Sequence, residues 1–138
     1  MRYVLITLAL LGIAASSLAL REHYRTYGDA PCDINDRWDC GIVNHSPYAM
    51  LSGIPVAAIG IFGYFLMAIL AFRRAYAVVL AMALVGLGFS LYLAHVERDI
   101  LGVWCVYCVI SLGVISLMTL LSLGATVVAR QRPQAGRA

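Results

Sequence analysis

Long apolar stretches alternate with short polar segments along this chain of 138 residues. A helix needs roughly 20 predominantly apolar residues to cross about 30 Å of bilayer hydrocarbon. Four stretches meet this length, the first only just, at about residues 3–20, 49–72, 76–96 and 101–129. The pattern predicts an all-α integral membrane domain over residues 1–129, built as a four-transmembrane-helix bundle with an outer loop at 21–48. A polar tail, residues 130–138, follows it.

The first apolar stretch shares features with a secretory signal peptide, because Arg2 precedes it and small residues such as Ala14 and Ser16 lie within it. Its apolar run is longer than the core of a typical signal peptide, and no clear cleavage pattern precedes Arg21. We therefore expect this stretch to remain in the protein as a transmembrane helix.

The composition supports a membrane location, since 62% of the residues are hydrophobic and only 12% are charged. Soluble globular domains carry about 25% charged residues. The formal net charge is +3, but the basic residues form no patch large enough to bind nucleic acid. We expect no nucleic-acid partner.

The charged residues divide between the two ends of the predicted bundle. Six arginines and no acids lie on the side of the termini and the 73–75 link: Arg2, Arg73, Arg74, Arg130, Arg132 and Arg137. The other side carries four arginines and all seven acids: Arg21, Arg25, Arg37, Arg98, Glu22, Asp29, Asp33, Asp36, Asp39, Glu97 and Asp99. Basic residues near span ends favour the cytoplasmic side. We therefore predict cytoplasmic termini, with the 21–48 loop and the 97–100 link outside.

All four cysteines fall on the predicted outer side of the membrane. Cys32 and Cys40 lie in the long loop, and Cys105 and Cys108 lie in the first turns of the fourth span. An oxidising compartment allows cysteines to form disulfides. A cysteine deep in a span is usually only a small hydrophobic residue, and none of the four is placed there.

The Cys105–Cys108 pair has the spacing of a redox unit. Residues three apart share one face of a helix, and the partial positive charge at a helix N-terminus favours a thiolate. Cys-x-x-Cys thiols can close a small ring and reopen it. The alternative is a structural disulfide, but so small a loop restrains the unfolded chain only weakly. The pattern therefore favours redox chemistry.

The Cys32–Cys40 pair has two interpretations. It can form a structural disulfide, which is common in exported segments. With a second redox pair on the same side, a relay through mixed disulfides becomes the better interpretation. Metal binding is the rival for all four thiols, with His23, His45 and His95 as further possible ligands. The Cys-x7-Cys spacing is loose for zinc, so we expect no metal.

A dithiol at a membrane surface must pass its electrons to an acceptor. A quinone resides in the bilayer and accepts two electrons, and a thiolate can add to its ring before a partner thiol closes the disulfide. A quinone is therefore the acceptor that best fits the chemistry of this pair.

Several motifs occur together along the chain: Cys32-Asp33, Cys40-Gly-Ile-Val-Asn-His-Ser46, Ser52-Gly-Ile-Pro55, Ser90-Leu-Tyr-Leu-Ala94 and Cys105-Val-Tyr-Cys108. With them, roughly residues 3–125 resemble the bacterial members of the vitamin K epoxide reductase family. The unrelated DsbB-type disulfide oxidases carry Cys-x-x-Cys in the first outer loop, whereas here it opens the fourth span. The resemblance implies a four-helix bundle around a quinone, with the outer loop lying over the site as a lid.

The resemblance also implies roles for individual residues. Cys108 would react with the quinone, and Cys105 would be its resolving partner and form the interloop disulfide with Cys40. Cys32 would exchange with an external protein. Ser46 would support the loop or the site by hydrogen bonding. Ser46 before a proline is also a typical N-cap signal for the second span, and the two roles are compatible.

The function implied by the resemblance is a quinone-linked thiol–disulfide oxidoreductase active in disulfide bond formation. It would reoxidise an exported thioredoxin-like (DsbA-like) protein and reduce ubiquinone or menaquinone, in a bacterial inner (cytoplasmic) membrane. No thioredoxin-like domain follows the bundle here, so we expect the partner to be a separate protein. Ala49 and Leu112 replace an asparagine and a tyrosine that help the vertebrate enzymes hold vitamin K. We therefore expect plain quinone reduction.

Candidate quinone contacts follow from their expected level near Cys108. They are Gly53, Ile54, Pro55, Ala57, Trp104 and Leu112. Helix packing through small residues is the alternative for the glycines, and an interfacial aromatic belt is the alternative for the tryptophan. Two other function classes remain open: a non-enzymatic, disulfide-stapled membrane scaffold and a metal-binding membrane protein.

Overall fold

A computed structural model describes residues 1–24 and 36–135, with side chains as far as 132. Cys32 and most of the outer loop lie outside the described residues. The elements, in chain order, are α1 (Arg2–Tyr24), α2 (Cys40–His45), a 3-10 turn (Pro47–Ala49), β1 (Met50–Leu51), β2 (Ile54–Pro55), α3 (Val56–Phe72), α4 (Tyr76–His95), a π-helical turn (Val96–Leu101) and α5 (Val106–Ala135).

Within the described part of the chain, three helical segments are long and apolar enough to cross a membrane: Arg2–Tyr24, Tyr76–Leu101 and Val106–Arg132. Only 11% of the apolar window in the α4 segment is buried against protein, so most of its apolar surface suits contact with lipid. The chain is therefore a largely helical membrane protein. Helix α3 is apolar but shorter, at 17 residues, so the second span, and with it the total of four spans, stays a prediction.

The long helices pack side by side, with α1 between α3 and α5, and α4 against α5. Their shared interior is an apolar cluster, named here the bundle core: Leu5, Ala9, Tyr64, Met67, Ala71, Val79, Ala83, Val114, Ile115 and Met118. Close approach of α1 and α3 depends on Gly12, where an added Cβ would lie 2.5 Å from the Tyr64 ring. The Tyr64 hydroxyl lies 2.8 Å from Ser111 Oγ on α5, so one side chain joins three helices.

The α3–α4 link reverses the chain in a tight turn. Arg74 has a left-handed backbone, with φ of 61°. The Ala75 N–H donates to the Leu70 carbonyl at 2.9 Å, and the Arg74 N–H donates to the Ala71 carbonyl at 3.0 Å. This pair of bonds is the Schellman arrangement that closes the end of a helix, and it sets α4 antiparallel to α3.

The charge separation seen along the chain is also a separation in space. At one end of the bundle the Arg2 guanidinium lies 5.5 Å from the centre of the Phe72 ring. Arg74 and Arg130 line a small cavity of about 280 Å³ at the link between α3 and α4. Glu97 and Asp99 follow α4 at its far end, next to the segment that carries the cysteines.

Two spans begin differently from the sequence-based expectation. Helix α3 starts at Val56, because residues before it form a short antiparallel hairpin in which Met50 pairs with Pro55. The hairpin turns at Ser52 and Gly53, whose φ angles are 53° and 82°, and two positive φ angles are what a tight two-residue hairpin requires. An apolar run alone does not show such a turn.

Helix α5 starts at Val106, so Cys105 precedes it and Cys108 lies in its first turn. The π-helical turn ends at Gly102, whose φ of 69° is left-handed. The Val109 N–H donates to the Cys105 carbonyl at 3.0 Å, which places Cys105 at the N-cap position of the helix.

Candidate active site

The segment before α2 is joined by its backbone to the segment before α5. The Trp104 N–H donates to the Arg37 carbonyl at 2.6 Å, and the Asp39 N–H donates to the Trp104 carbonyl at 3.0 Å. The rings of Trp38 and Trp104 lie 6.5 Å apart between centroids. Cys40 and Cys105 come shortly after the two bridged tryptophans, so these contacts place them side by side.

Cys40 is the first residue of α2, and its position is fixed by the cap of that short helix. Asp39 is the N-cap, and its Oδ1 accepts a hydrogen bond from the Ile42 N–H at 3.0 Å. At the other end of α2, His23 of α1 lies with Nδ1 2.5 Å from the Asn44 carbonyl oxygen, which ties α2 to the bundle. The described part of the outer loop is therefore held against the long helices.

The sulfurs of Cys40 and Cys105 lie 3.5 Å apart, and both residues are fully buried. Cys105 and Cys108 carry free thiols, whereas Cys40 is disulfide-bonded. The Cys40–Cys105 disulfide implied by the family resemblance is therefore not formed in this structure. The two sulfurs are nevertheless close enough that thiol–disulfide exchange needs only a small displacement.

Cys105 lies outside the Val106–Arg132 span, and its surroundings favour the thiolate more than water does. A hydrogen bond from the Cys108 thiol lowers the pKa of Cys105 below the ordinary value for a thiol, against the opposing effect of burial. Asn44 adds to this, since its Nδ2 lies 3.6 Å from the Cys105 sulfur. The same amide donates to the Cys40 carbonyl at 2.8 Å. One buried asparagine thus contacts both partners of the proposed exchange.

Ser46 makes a hydrogen bond inside the loop segment. Its Oγ donates to the Val43 carbonyl at 2.7 Å, and its backbone N–H donates to the same oxygen. Ser46 is the N-cap residue of the 3-10 turn that follows, but its side chain makes no capping bond there. Helix α3 begins only at Val56, so the prediction that Ser46 caps the second span is wrong. The reason is that the chain after Ser46 forms a 3-10 turn and the hairpin before α3 begins.

The sequence identifies Glu97 only as one of the charged residues on the outer side. In the fold it is buried, with 2% of its surface exposed. It lies in the π-helical turn after α4, and its Oε2 accepts a hydrogen bond from the Cys105 N–H at 3.2 Å. The Cys108 thiol is close enough to interact with the carboxyl group. The available signal was an acid placed eight residues before Cys105, in a link otherwise expected to be solvated.

A cavity of about 590 Å³ lies between the long helices and reaches the cysteines. Its volume lies in the range of small-molecule sites, and apolar side chains dominate its walls. Cys108 and Glu97 are among the polar residues that line it, as are Asn44 and Ser46, while Cys105 and Cys40 lie in the neighbouring buried cluster. Such a cavity fits an apolar ring compound that must meet a thiol at one end.

Comparison with known protein families gives a match. The sequence pattern of the vitamin K epoxide reductase family matches residues 3–123. The chain belongs to this family. A search of curated proteins found no match. The resemblance inferred from the motifs is thus confirmed over most of the chain.

Membership of the vitamin K epoxide reductase family makes this chain a membrane oxidoreductase of thiol chemistry. The family generally uses a quinone and a thioredoxin-like partner, which agrees with an apolar cavity beside a thiol pair. The substrate of this particular chain is not fixed by family membership, and it is treated as a proposal below.

The predicted quinone contacts divide into two groups. Pro55, Ala57, Trp104 and Leu112 line the cavity that contains Cys108. Gly53 and Ile54 lie in the hairpin, outside the set of described residues that line the cavity, and Ile54 is 52% exposed. Ala49, which occupies the approximate place of the vertebrate asparagine, also lines the cavity. The hairpin turns the first two contact candidates away because helix α3 does not begin until Val56.

The histidines are used in hydrogen bonds and ion pairing. His23 meets the Asn44 carbonyl, His45 Nδ1 lies 2.7 Å from the Gly41 carbonyl, and His95 Nδ1 lies 2.8 Å from Asp99. Within residues 1–24 and 36–135, no group of three or more His, Cys, Asp or Glu side chains is arranged to hold a metal ion.

Proposed function

We propose that this chain reoxidises an exported thioredoxin-like protein and passes the electrons by a cysteine relay to a membrane quinone. The observation that carries the proposal is the 3.5 Å separation of the Cys40 and Cys105 sulfurs, next to a Cys108 that lines an apolar cavity. Cys32 and Cys40 belong to the outer loop in the sequence, and Cys108 of the other pair lines the cavity. A relay needs contact between the pairs at one sulfur of each, and Cys40 and Cys105 supply it.

The first half of the reaction is thiol–disulfide exchange. The reduced partner gives two electrons to the loop pair, Cys32 and Cys40. The Cys40 thiolate then attacks Cys105 in the Cys105–Cys108 disulfide, which releases the Cys108 thiolate. Cys32 attacks Cys40 in turn, closes the loop disulfide and releases Cys105. Two electrons have then moved from the partner to the helix pair.

The second half takes place at the cavity. A bound quinone would accept two electrons and two protons there. Cys108 presents its sulfur to the cavity, and Cys105 closes the disulfide with it. Leu112 and Pro55 contribute apolar wall to the same cavity. Leu112 has no hydroxyl to hold a vitamin K epoxide, so plain ubiquinone or menaquinone is the proposed acceptor.

The membrane arrangement is part of the proposal. Helix α3 has 17 residues, the lower limit for a span. We propose that it also crosses the membrane, as the second of four spans in chain order. The end that carries Arg2, Arg74 and Arg130 would face the cytoplasm, by the preference of basic residues for that side. The cysteines would then face the exterior of a bacterial inner membrane, where an exported partner is available.

The experiment is quinone reduction by the detergent-purified protein, with a reduced thioredoxin-like donor and either ubiquinone or menaquinone. We expect donor-dependent turnover by the native protein and none by Cys108→Ala. Ile110→Ala, on the same helix and half exposed, is the matched control and should retain turnover. If the native protein shows no donor-dependent turnover with either quinone, the proposal fails and the disulfide-stapled scaffold becomes the better account.

A further inference from the structure

Glu97 is a buried acid to which the proposed relay gives no task. It is 2% exposed and lies on the wall of the same cavity as Cys108. One carboxyl oxygen, Oε2, accepts the Cys105 N–H at 3.2 Å. The other, Oε1, has no hydrogen-bond partner among the described residues. A buried polar atom without a partner destabilises a fold, so its presence here calls for a functional explanation.

A purely structural role does not require an acid at this position. The Cys105 N–H needs only one acceptor oxygen, and a glutamine would supply it without the cost of burying an ionisable group. What a carboxyl group adds is the ability to take up and release a proton. The Cys108 thiol, which must lose a proton when it is oxidised, lies within interaction range of that carboxyl group.

We propose that Glu97 is a catalytic residue that takes the proton from Cys108 and delivers it to the electron acceptor in the cavity. This inference rests on the proposed function, because it assigns the proton path of the quinone-reducing step. Its basis is the position of one carboxyl group on the same cavity wall as Cys108, with Oε2 held by the Cys105 N–H and Oε1 without a hydrogen-bond partner among the described residues.

The step balances as follows. Cys105 enters as a thiolate and Cys108 as a thiol. The Cys108 S–H bond breaks, its proton moves to the Glu97 carboxylate, and one S–S bond forms between the two cysteines. Two electrons pass to the quinone. Glu97 then gives its proton to one acceptor oxygen, water supplies the proton for the other, and Glu97 returns to a carboxylate.

Glu97→Gln is the decisive substitution because it keeps an acceptor for the Cys105 N–H and removes the transferable proton. We expect quinone reduction to slow by about 100-fold, the lower range for loss of a general acid–base group. Disulfide exchange with the reduced thioredoxin-like donor, measured without quinone, should stay at the native rate. Asp99→Asn is the matched control, since it removes an exposed acid two residues away and should leave both rates unchanged.

A second readout does not depend on quinone. The chain has two glutamates, Glu22 and Glu97, so isotope-labelled glutamate gives few candidate signals in infrared difference spectra. Oxidising the reduced protein with diamide should change a labelled carboxyl band, because the Cys108 proton has left its neighbour. The band change should persist in Glu22→Gln and vanish in Glu97→Gln. The native protein can be tested this way even if Glu97→Gln fails to fold.

Each outcome decides the inference. A native quinone-reduction rate in Glu97→Gln overturns it. So does a native protein whose labelled carboxyl bands do not change on oxidation, even if Glu97→Gln is slow, because Glu97 would then only position Cys105. If the native protein reduces no quinone but its Glu97 band changes on oxidation, the proposed acceptor fails while the proton exchange between Glu97 and Cys108 stands.

Discussion

The residues that the structure describes form two buried clusters that differ in their chemistry. The bundle core joins α1, α3, α4 and α5 through apolar side chains, with Tyr64 and its Ser111 hydrogen bond as the main polar feature. The second cluster, at the outer end, contains Cys40, Val43, Val103 and Cys105, with Asn44 and Glu97 buried beside it.

The backbone differs between the two clusters in the same way. Around the bundle core it is regular α-helix. Around the cysteines it is a six-residue helix, a bridge between single residues, a hairpin and a π-helical turn. Regular helices satisfy their own backbone groups, whereas irregular segments leave N–H groups free to hold side chains such as Glu97. We therefore expect stability to depend mainly on the first cluster and the proposed reactivity on the second.

The substitution of Cys40 should give the largest difference in behaviour between the two clusters. In Cys40→Ala the donor-dependent rate of quinone reduction should fall on the order of 1000-fold, because a nucleophile in the relay is lost. Quinone reduction driven by dithiothreitol, which can reduce Cys105 and Cys108 directly, should continue. A quinone-reduction assay with each reductant checks this, and equal loss with both reductants would mean that Cys40 acts by supporting the fold.

Overpacking the bundle core should have the opposite effect, because it should lower the stability of the fold and leave the cysteine chemistry unchanged. In Gly12→Val the new side chain meets the Tyr64 ring at 2.5 Å, and overpacking of this kind costs about 1–3 kcal/mol of unfolding free energy. Thermal unfolding in detergent measures the loss, while exchange between the cysteine pairs in the folded protein should be unaffected. Gly88→Ala is the control, because no atom lies within 4 Å of its added Cβ. A Gly12→Val protein as stable as Gly88→Ala would show that α1 and α3 are not closely packed there.

A substitution of Asn44 tests whether the cluster around the cysteines affects the rate of thiol–disulfide exchange. Asn44→Ala removes the amide 3.6 Å from the Cys105 sulfur, and loss of a hydrogen bond to a charged group should slow exchange about 10-fold. Stopped-flow measurement of exchange with the reduced donor checks this value. Ile42→Ala, which lies on the same short helix, is the control. An unchanged exchange rate in Asn44→Ala would show that the amide has no effect on the exchange.

The Cys108 hydrogen bond should appear in the pH dependence of Cys105. Because this bond lowers the pKa of Cys105, losing it must raise that pKa, so less thiolate is present near neutral pH and the midpoint moves to higher pH. Thiolate absorbance should therefore show a higher midpoint in Cys108→Ala than in Cys108→Ser, which keeps a hydroxyl donor. Identical midpoints in the two variants would contradict this cause of the shift.

Sequence reasoning reached the parts of the molecule that depend on local pattern. The apolar lengths predicted the membrane helices, and the motif around Cys105 and Cys108 led to the family that the comparison confirms. The charge pattern placed Arg2 and Arg74 apart from Glu97, as they are in the fold.

The features that sequence reasoning missed depend on contacts between distant residues. The pairing of Trp38 with Trp104 brings Cys40 to Cys105 and cannot be seen in either segment alone. Sequence reasoning placed Glu97 in an outer link. Its burial could not be predicted, because it depends on a π-helical turn that contacts the Cys105 segment. Ser46 was given a capping role because the hairpin that follows it lies inside an apolar run.

The central claim is that Cys40 and Cys105 are the sulfurs through which the two pairs exchange. The most direct measurement uses Cys32→Ala/Cys108→Ala, in which Cys40 and Cys105 are the remaining cysteines, oxidised mildly and mapped by mass spectrometry under non-reducing conditions. We predict rapid formation of a Cys40–Cys105 disulfide, and much slower bonding in Cys32→Ala/Cys105→Ala, which pairs Cys40 with Cys108. If the folded protein forms the Cys40–Cys108 bond faster, or forms no Cys40–Cys105 bond, the relay through Cys105 is contradicted.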